Sequence, residues 1–144
     1  MGLDAVVYVN KSNLALNQED DPFQMDEETG EVYLKNPKLS NKYPADMFTA
    51  VHKRLGNASM IAAIADEVSP VTNGDSILSN KVLYSGSHSG DRIGLEDLGR
   101  LESEINLVRE RTIDTRSADL ESFLDILSEL VEAAKKQGNP IVFV

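Results

Sequence analysis

Pro140-Ile141-Val142-Phe143-Val144 is, apart from the opening proline, an unbroken apolar run, insoluble as a loose tail and therefore expected to form an interior strand. Leu3 to Val9 has the same character, β-branched and aromatic with almost no polar interruption, and reads as a first strand covered on both faces. Two such ends in one sheet need apolar partners, and the sequence between them supplies amphipathic stripes.

Four stretches carry helical spacing. Pro44 opens the first, with Met47, Phe48, Val51 and Leu55 on one face and Gly56 as its end. Asn57 caps the second, whose Met60, Ile61, Ile64 and Val68 keep the three-four rhythm until Ser69-Pro70. Leu98, Leu101, Ile105 and Val108 mark the third, which ends near Thr112. Ser117 caps the fourth, where Leu120, Phe123, Leu124, Leu127, Leu130, Val131 and Ala134 form a wide stripe closed by Lys135, Lys136 and Gly138.

Phe23 to Met25 and Glu31 to Leu34 flank Asp26-Glu27-Glu28-Thr29-Gly30, a β-hairpin in which Gly30 supplies a left-handed residue. Lys81-Val82-Leu83-Tyr84 reads as a strand, and Ile93 either starts its partner or leads straight into the third helix. Residues 10–22, ending in Glu19-Asp20-Asp21-Pro22, read as a solvated connection, and Val71 to Ser76 as a loop. The expected architecture is α+β: one domain over residues 1–144, a mixed β-sheet with the N- and C-terminal strands inside it, a β-hairpin and about four helices packed on the sheet.

At 144 residues, with 41% hydrophobic and 26% charged, the chain lies in the globular range and suits one core. No apolar run approaches the ~20 residues of a membrane span, and the start lacks the basic and apolar regions of a secretory signal. Absence of cysteine suits a reducing compartment, so a cytoplasmic location is expected and the triplets Asn10-Lys11-Ser12 and Asn57-Ala58-Ser59 are chance glycosylation matches. The net charge of −10 is spread evenly, −4, −2 and −4 over residues 1–43, 44–91 and 92–144. Such a field repels phosphate backbones, which disfavours nucleic acid, and draws a basic protein partner, although it also serves plain solubility.

Tyr84-Ser85-Gly86-Ser87-His88-Ser89-Gly90-Asp91-Arg92 is the one segment where small and chemically competent residues gather. Glycine-flanked amides there can form an anion-binding concavity, with Arg92 adding a fork of donors and Tyr84 a hydroxyl at its mouth. His88, Asp91 and Ser87 are the catalytic candidates, as a carboxylate-oriented base beside a nucleophile. The phosphate-loop ending Gly-Lys-Ser/Thr is absent, and Gly86-Ser87-His88-Ser89-Gly90 puts histidine where a hydrolase elbow needs serine. A polar loop whose serines bond their own backbone accounts for the same residues. His52, placed by the spacing near the end of the first helix, is the other histidine that could serve a serine, and dipole contact explains it as well.

Two isolated histidines and no cysteine supply no metal site, and no cofactor is expected. Acidic runs at 19–21 and 26–28 read as solvated turns. The sequence therefore points to a non-enzymatic, acidic protein-binding domain, in the manner of an inhibitor, an immunity-type neutraliser or an adaptor. The alternatives are a small hydrolase or anionic-ligand-binding protein centred on residues 85–92, with Tyr84, Ser85, Ser87, His88, Ser89, Asp91 and Arg92 around the ligand, and a homodimer sealed by a sheet edge or helix face.

Overall fold

The computed structural model describes residues 2–14, 22–40 and 42–144. The acidic run Glu19-Asp20-Asp21 and most of the connection expected around it lie outside the described residues.

The chain ends form the middle of a four-stranded sheet. Strand β1 (Gly2–Tyr8) is flanked by β4 (Thr49–Asn57) and β6 (Ile141–Phe143), and β6 pairs with the two-residue β5 (Arg92–Ile93). β2 (Phe23–Met25) and β3 (Val32–Leu34) make the expected hairpin as a separate two-stranded sheet, with Gly30 at φ +77°. Helix α1 (Ala58–Val68) follows β4 directly, α2 (Leu95–Arg111) follows β5, and α3 (Ala118–Gln137) runs back to β6. Every pairing among the described residues is antiparallel. The orientations are not mixed, contrary to expectation, because among the described residues no strand returns to the sheet through a parallel crossover.

Leu3, Ala5 and Val7 of β1 join Leu55, Ile93, Ile141 and Phe143 in a core with the apolar stripes of α1, α2 and α3. The alternate positions face the opposite side, which sets His52, Val6, Val142 and Arg92 in one row across the sheet. Tyr43 and Phe48 close a smaller cluster with Phe23 and Val32 of the hairpin and with Leu14, and Phe23 packs edge-on against both Tyr43 and Phe48. The capping residues act as expected: Asn57 accepts from the Met60 amide, Ser117 from Leu120, and Gly138 ends α3 at φ +65°.

Two elements differ from the sequence reading. The stretch from Pro44 to Leu55 is not a helix: a short turn at Ala45–Phe48 leads into the nine-residue strand β4. Val51, Lys53 and Leu55 share the helix-facing side at a period of two, and β1 offers them a ladder that local sequence cannot reveal. Lys81 to Tyr84 is not a strand either. Leu78–Val82 form one wide helical turn, entered by the amides of Ile77 and Leu78, which donate to the Glu104 carboxylate at 3.1 and 2.9 Å. Leu78 and Val82, four residues apart, are both fully buried by that turn. Three long helices and this turn therefore cover the sheet, with β4 in place of the helix expected at residues 44–55.

The ladder fixes which rim of β4 is free. Val6 faces Val142, and the Val144 amide donates to the Asp4 carbonyl at 2.9 Å, so even-numbered residues of β1 bond toward β6. Ala5 and Val7 then bond Lys53 and Val51 of β4, and the amides of His52 and Arg54 point away from the sheet. Among the described residues no backbone hydrogen bond meets that outer rim.

Candidate functional site

The serine-glycine loop starts from the wide turn at Leu78–Val82 and is fastened to the end of β6. The Gly90 amide donates to the Phe143 carbonyl at 2.8 Å and the Phe143 amide to the Asp91 carbonyl at 2.9 Å. Gly90 adopts φ +97°, a conformation that suits glycine. Gly86 is required for a different reason: a Cβ there would lie 2.7 Å from the Ala58 Cα, so only glycine lets the loop rest on the start of α1.

His88 is the anchor of this loop, with its side chain only 4% exposed. Its Nε2 lies 2.9 Å from the Val82 carbonyl, and because a carbonyl only accepts, Nε2 carries the proton. Nδ1 lies 3.3 Å from Asp91 Oδ2 without the alignment of a hydrogen bond, leaving it otherwise unpartnered among the described residues. The ring stacks on Tyr84, with centroids 4.6 Å apart, and tilts against Phe143 at 4.4 Å. The Tyr84 hydroxyl donates to the Asp91 carboxylate. Tyr84, His88 and Asp91 thus come together as one packed group.

The serines stand apart from it. Ser85 Oγ donates to the Ser87 carbonyl at 3.0 Å and accepts from the Ser87 amide, a local turn. Ser87 and Ser89 are exposed and their hydroxyls bond no described residue. His52 sits exposed on β4, and neither histidine is bonded to a serine. A cleft of about 470 Å³ opens beside the loop, lined by Asn80, Lys81, Tyr84, Asp91, Arg92 and Asp97. Its cations are already held, Lys81 by Asp97 at 2.7 Å and Arg92 by Glu28 of the hairpin turn at 3.5 Å. Ser85, Ser87, His88 and Ser89 do not line it. Among the described residues no cluster of three or more His, Asp or Glu side chains could hold a metal ion.

A second concavity was not legible in the sequence. A groove of about 490 Å³ lies between the hairpin and the outer face of the sheet, walled by Tyr8, Tyr33, Tyr43 and Phe48, with Glu31 at its side and Thr49, the first residue of β4, at its end. Burial and the nearby Glu31 carboxylate both raise the pKa of Tyr8 above the ordinary tyrosine value, so its hydroxyl remains a neutral donor and acceptor. The sequence signal for this groove would have been the period-two run of Val51, Lys53 and Leu55, which puts the end of β1 beside the segment holding Tyr43 and Phe48.

No helix among the described residues is long and apolar enough to cross a membrane. No protein-family model, curated protein or solved structure matches the chain.

Proposed function

We propose that this chain is a non-enzymatic, cytoplasmic protein-binding domain that receives an extended segment of a basic partner along the outer rim of β4. The observation that carries this reading is a nine-residue strand whose outward amides, those of His52 and Arg54, meet no described residue. A strand added there gains a row of main-chain hydrogen bonds, a recurrent mode of peptide capture. Charge supports it from two sides. The net −10 draws a basic polypeptide from a distance, while at the rim itself Lys53 is paired with Glu129 and Arg54 with Asp4, each at 3.1 Å, so neither of these two cations stands unpaired against a docking segment. Freedom from cysteine suits the reducing interior in which such a domain would work.

A hydrolase or anion receptor at residues 85–92 has less behind it. Both His88 nitrogens are turned inward, and both cations of the neighbouring cleft are occupied by carboxylates.

The reading is tested by titrating isotopically labelled protein with a peptide of alternating valine and threonine bearing two lysines. Amide resonances of residues 50, 52 and 54 are expected to shift, with an association rate that falls as salt rises. His52→Pro removes only an outward donor, so it should leave the fold intact and abolish the response. Shifts elsewhere, or an unchanged response in His52→Pro, would reject docking at β4.

A further inference from the structure

We propose that the tyrosine-walled groove beside β4 is a cation pocket, taking a lysine or arginine side chain from the extended segment docked on that strand. The inference rests on the β4 reading and adds what the partner must carry.

Among the described residues Glu31 is the only charged one lining the groove, it is exposed, and it forms no ion pair with any of them. A lone carboxylate among aromatic rings selects for a positive group. Aromatic faces attract cations through their quadrupole, most strongly where water is partly excluded, and Tyr33, 47% exposed, is open to a ligand while Tyr43 and Phe48 are largely buried. Tyr43 already shows this preference: the Lys42 ammonium stands 5.9 Å from its ring centre, although Lys42 is not part of the groove wall. The apolar walls, Val6, Val32 and Leu34 among them, match the methylene stem that carries a lysine or arginine head group.

Position connects groove and strand. Thr49 lines the groove and begins β4, and it is the register partner of Tyr8, another wall residue. A segment lying along β4 therefore ends beside the groove, and one long side chain can reach in while the main chain remains paired. The chain's negative charge would steer the same partner, so attraction at a distance and recognition at contact select one chemistry.

The experiment compares strand-forming peptides that differ at one position, arginine against norleucine and glutamate, on the wild type, Glu31→Gln and Tyr33→Ala. Both substitutions fall on exposed side chains, so the fold is retained. The arginine peptide should bind roughly fivefold or more tightly than the norleucine peptide, the size of a partly desolvated cation–π contact. Each variant should remove most of that preference while the amides of residues 52 and 54 still respond. Equal binding of arginine and norleucine peptides, with β4 responding to both, would overturn the cation pocket and leave strand docking standing. If tetramethylammonium alone shifts the Tyr33 resonances while no peptide moves the β4 amides, docking itself fails, and with it the assignment of the pocket to a docked segment.

Discussion

Deleting Pro140 to Val144 is expected to abolish cooperative folding, although it removes only five of 144 residues. β6 bridges β1 and β5, so its loss separates the long pair β1–β4 from β5 and leaves the central strand with an open rim. Ile141 and Phe143 are almost wholly buried, and each contributes about 2–3 kcal/mol by transfer from water. The cavity left behind and the main-chain bonds to Asp4, Gly90 and Asp91 add roughly 1 kcal/mol each. The sum approaches the whole stability of an ordinary domain, roughly 5–15 kcal/mol. Loss of the sharp thermal transition and of near-ultraviolet dichroism is the result to look for. A truncated chain that melts cooperatively within a few degrees of the full one would show that β6 is peripheral.

His88→Ala should cost about 2–4 kcal/mol, the usual range for emptying a buried aromatic site, and lower the thermal midpoint by roughly 10 °C. The loss has two parts that can be separated. His88→Phe keeps contact with Tyr84 and Phe143 but leaves the Val82 carbonyl without its donor, so it should restore part of the stability and remain about 1–3 kcal/mol short. His88→Asn offers an amide donor without the ring and should fall at the other extreme. If alanine costs less than about 1 kcal/mol, the histidine is not the anchor of the loop and its inward orientation loses its significance. The contrast bears on function as well as stability, because a side chain committed to packing is a poor general base.

What the sequence disclosed and what it hid divide along a physical line. Helices α1, α2 and α3 were legible because their stripes and caps are local: Asn57, Ser117 and Gly138 each act within a few residues of themselves. The terminal strands were legible because continuous apolar runs have no alternative to burial. β4 was not, since Met47, Phe48, Val51 and Leu55 fit a helical spacing as well as a strand, and the partner that decides between them, β1, lies about fifty residues away. Residues 81–84 were hidden for a similar reason. Their β-branched and aromatic content suggests a strand, but Glu104 of α2 holds the preceding amides and commits the backbone to a turn.

The candidate site shows the same division. The cluster from Tyr84 to Arg92 was evident from composition, and Tyr84, His88 and Asp91 do meet. That the imidazole faces the Val82 carbonyl, and not a serine, follows only from where β6 places Phe143 behind it. The groove of Tyr8, Tyr33, Tyr43 and Phe48 combines three segments, around residues 8, 33 and 43–48, that are separate in sequence, so no local motif could announce it.

Amide hydrogen exchange along Thr49 to Asn57 reads the free rim of β4 residue by residue. A strand open on one rim predicts an alternating pattern, with Val51 and Lys53 protected by their bonds to β1 and His52 and Arg54 exchanging freely. Uniform protection through residues 47–55, as a helix would give, or protection of His52 and Arg54 in the isolated protein, would contradict the open edge on which the proposed function stands.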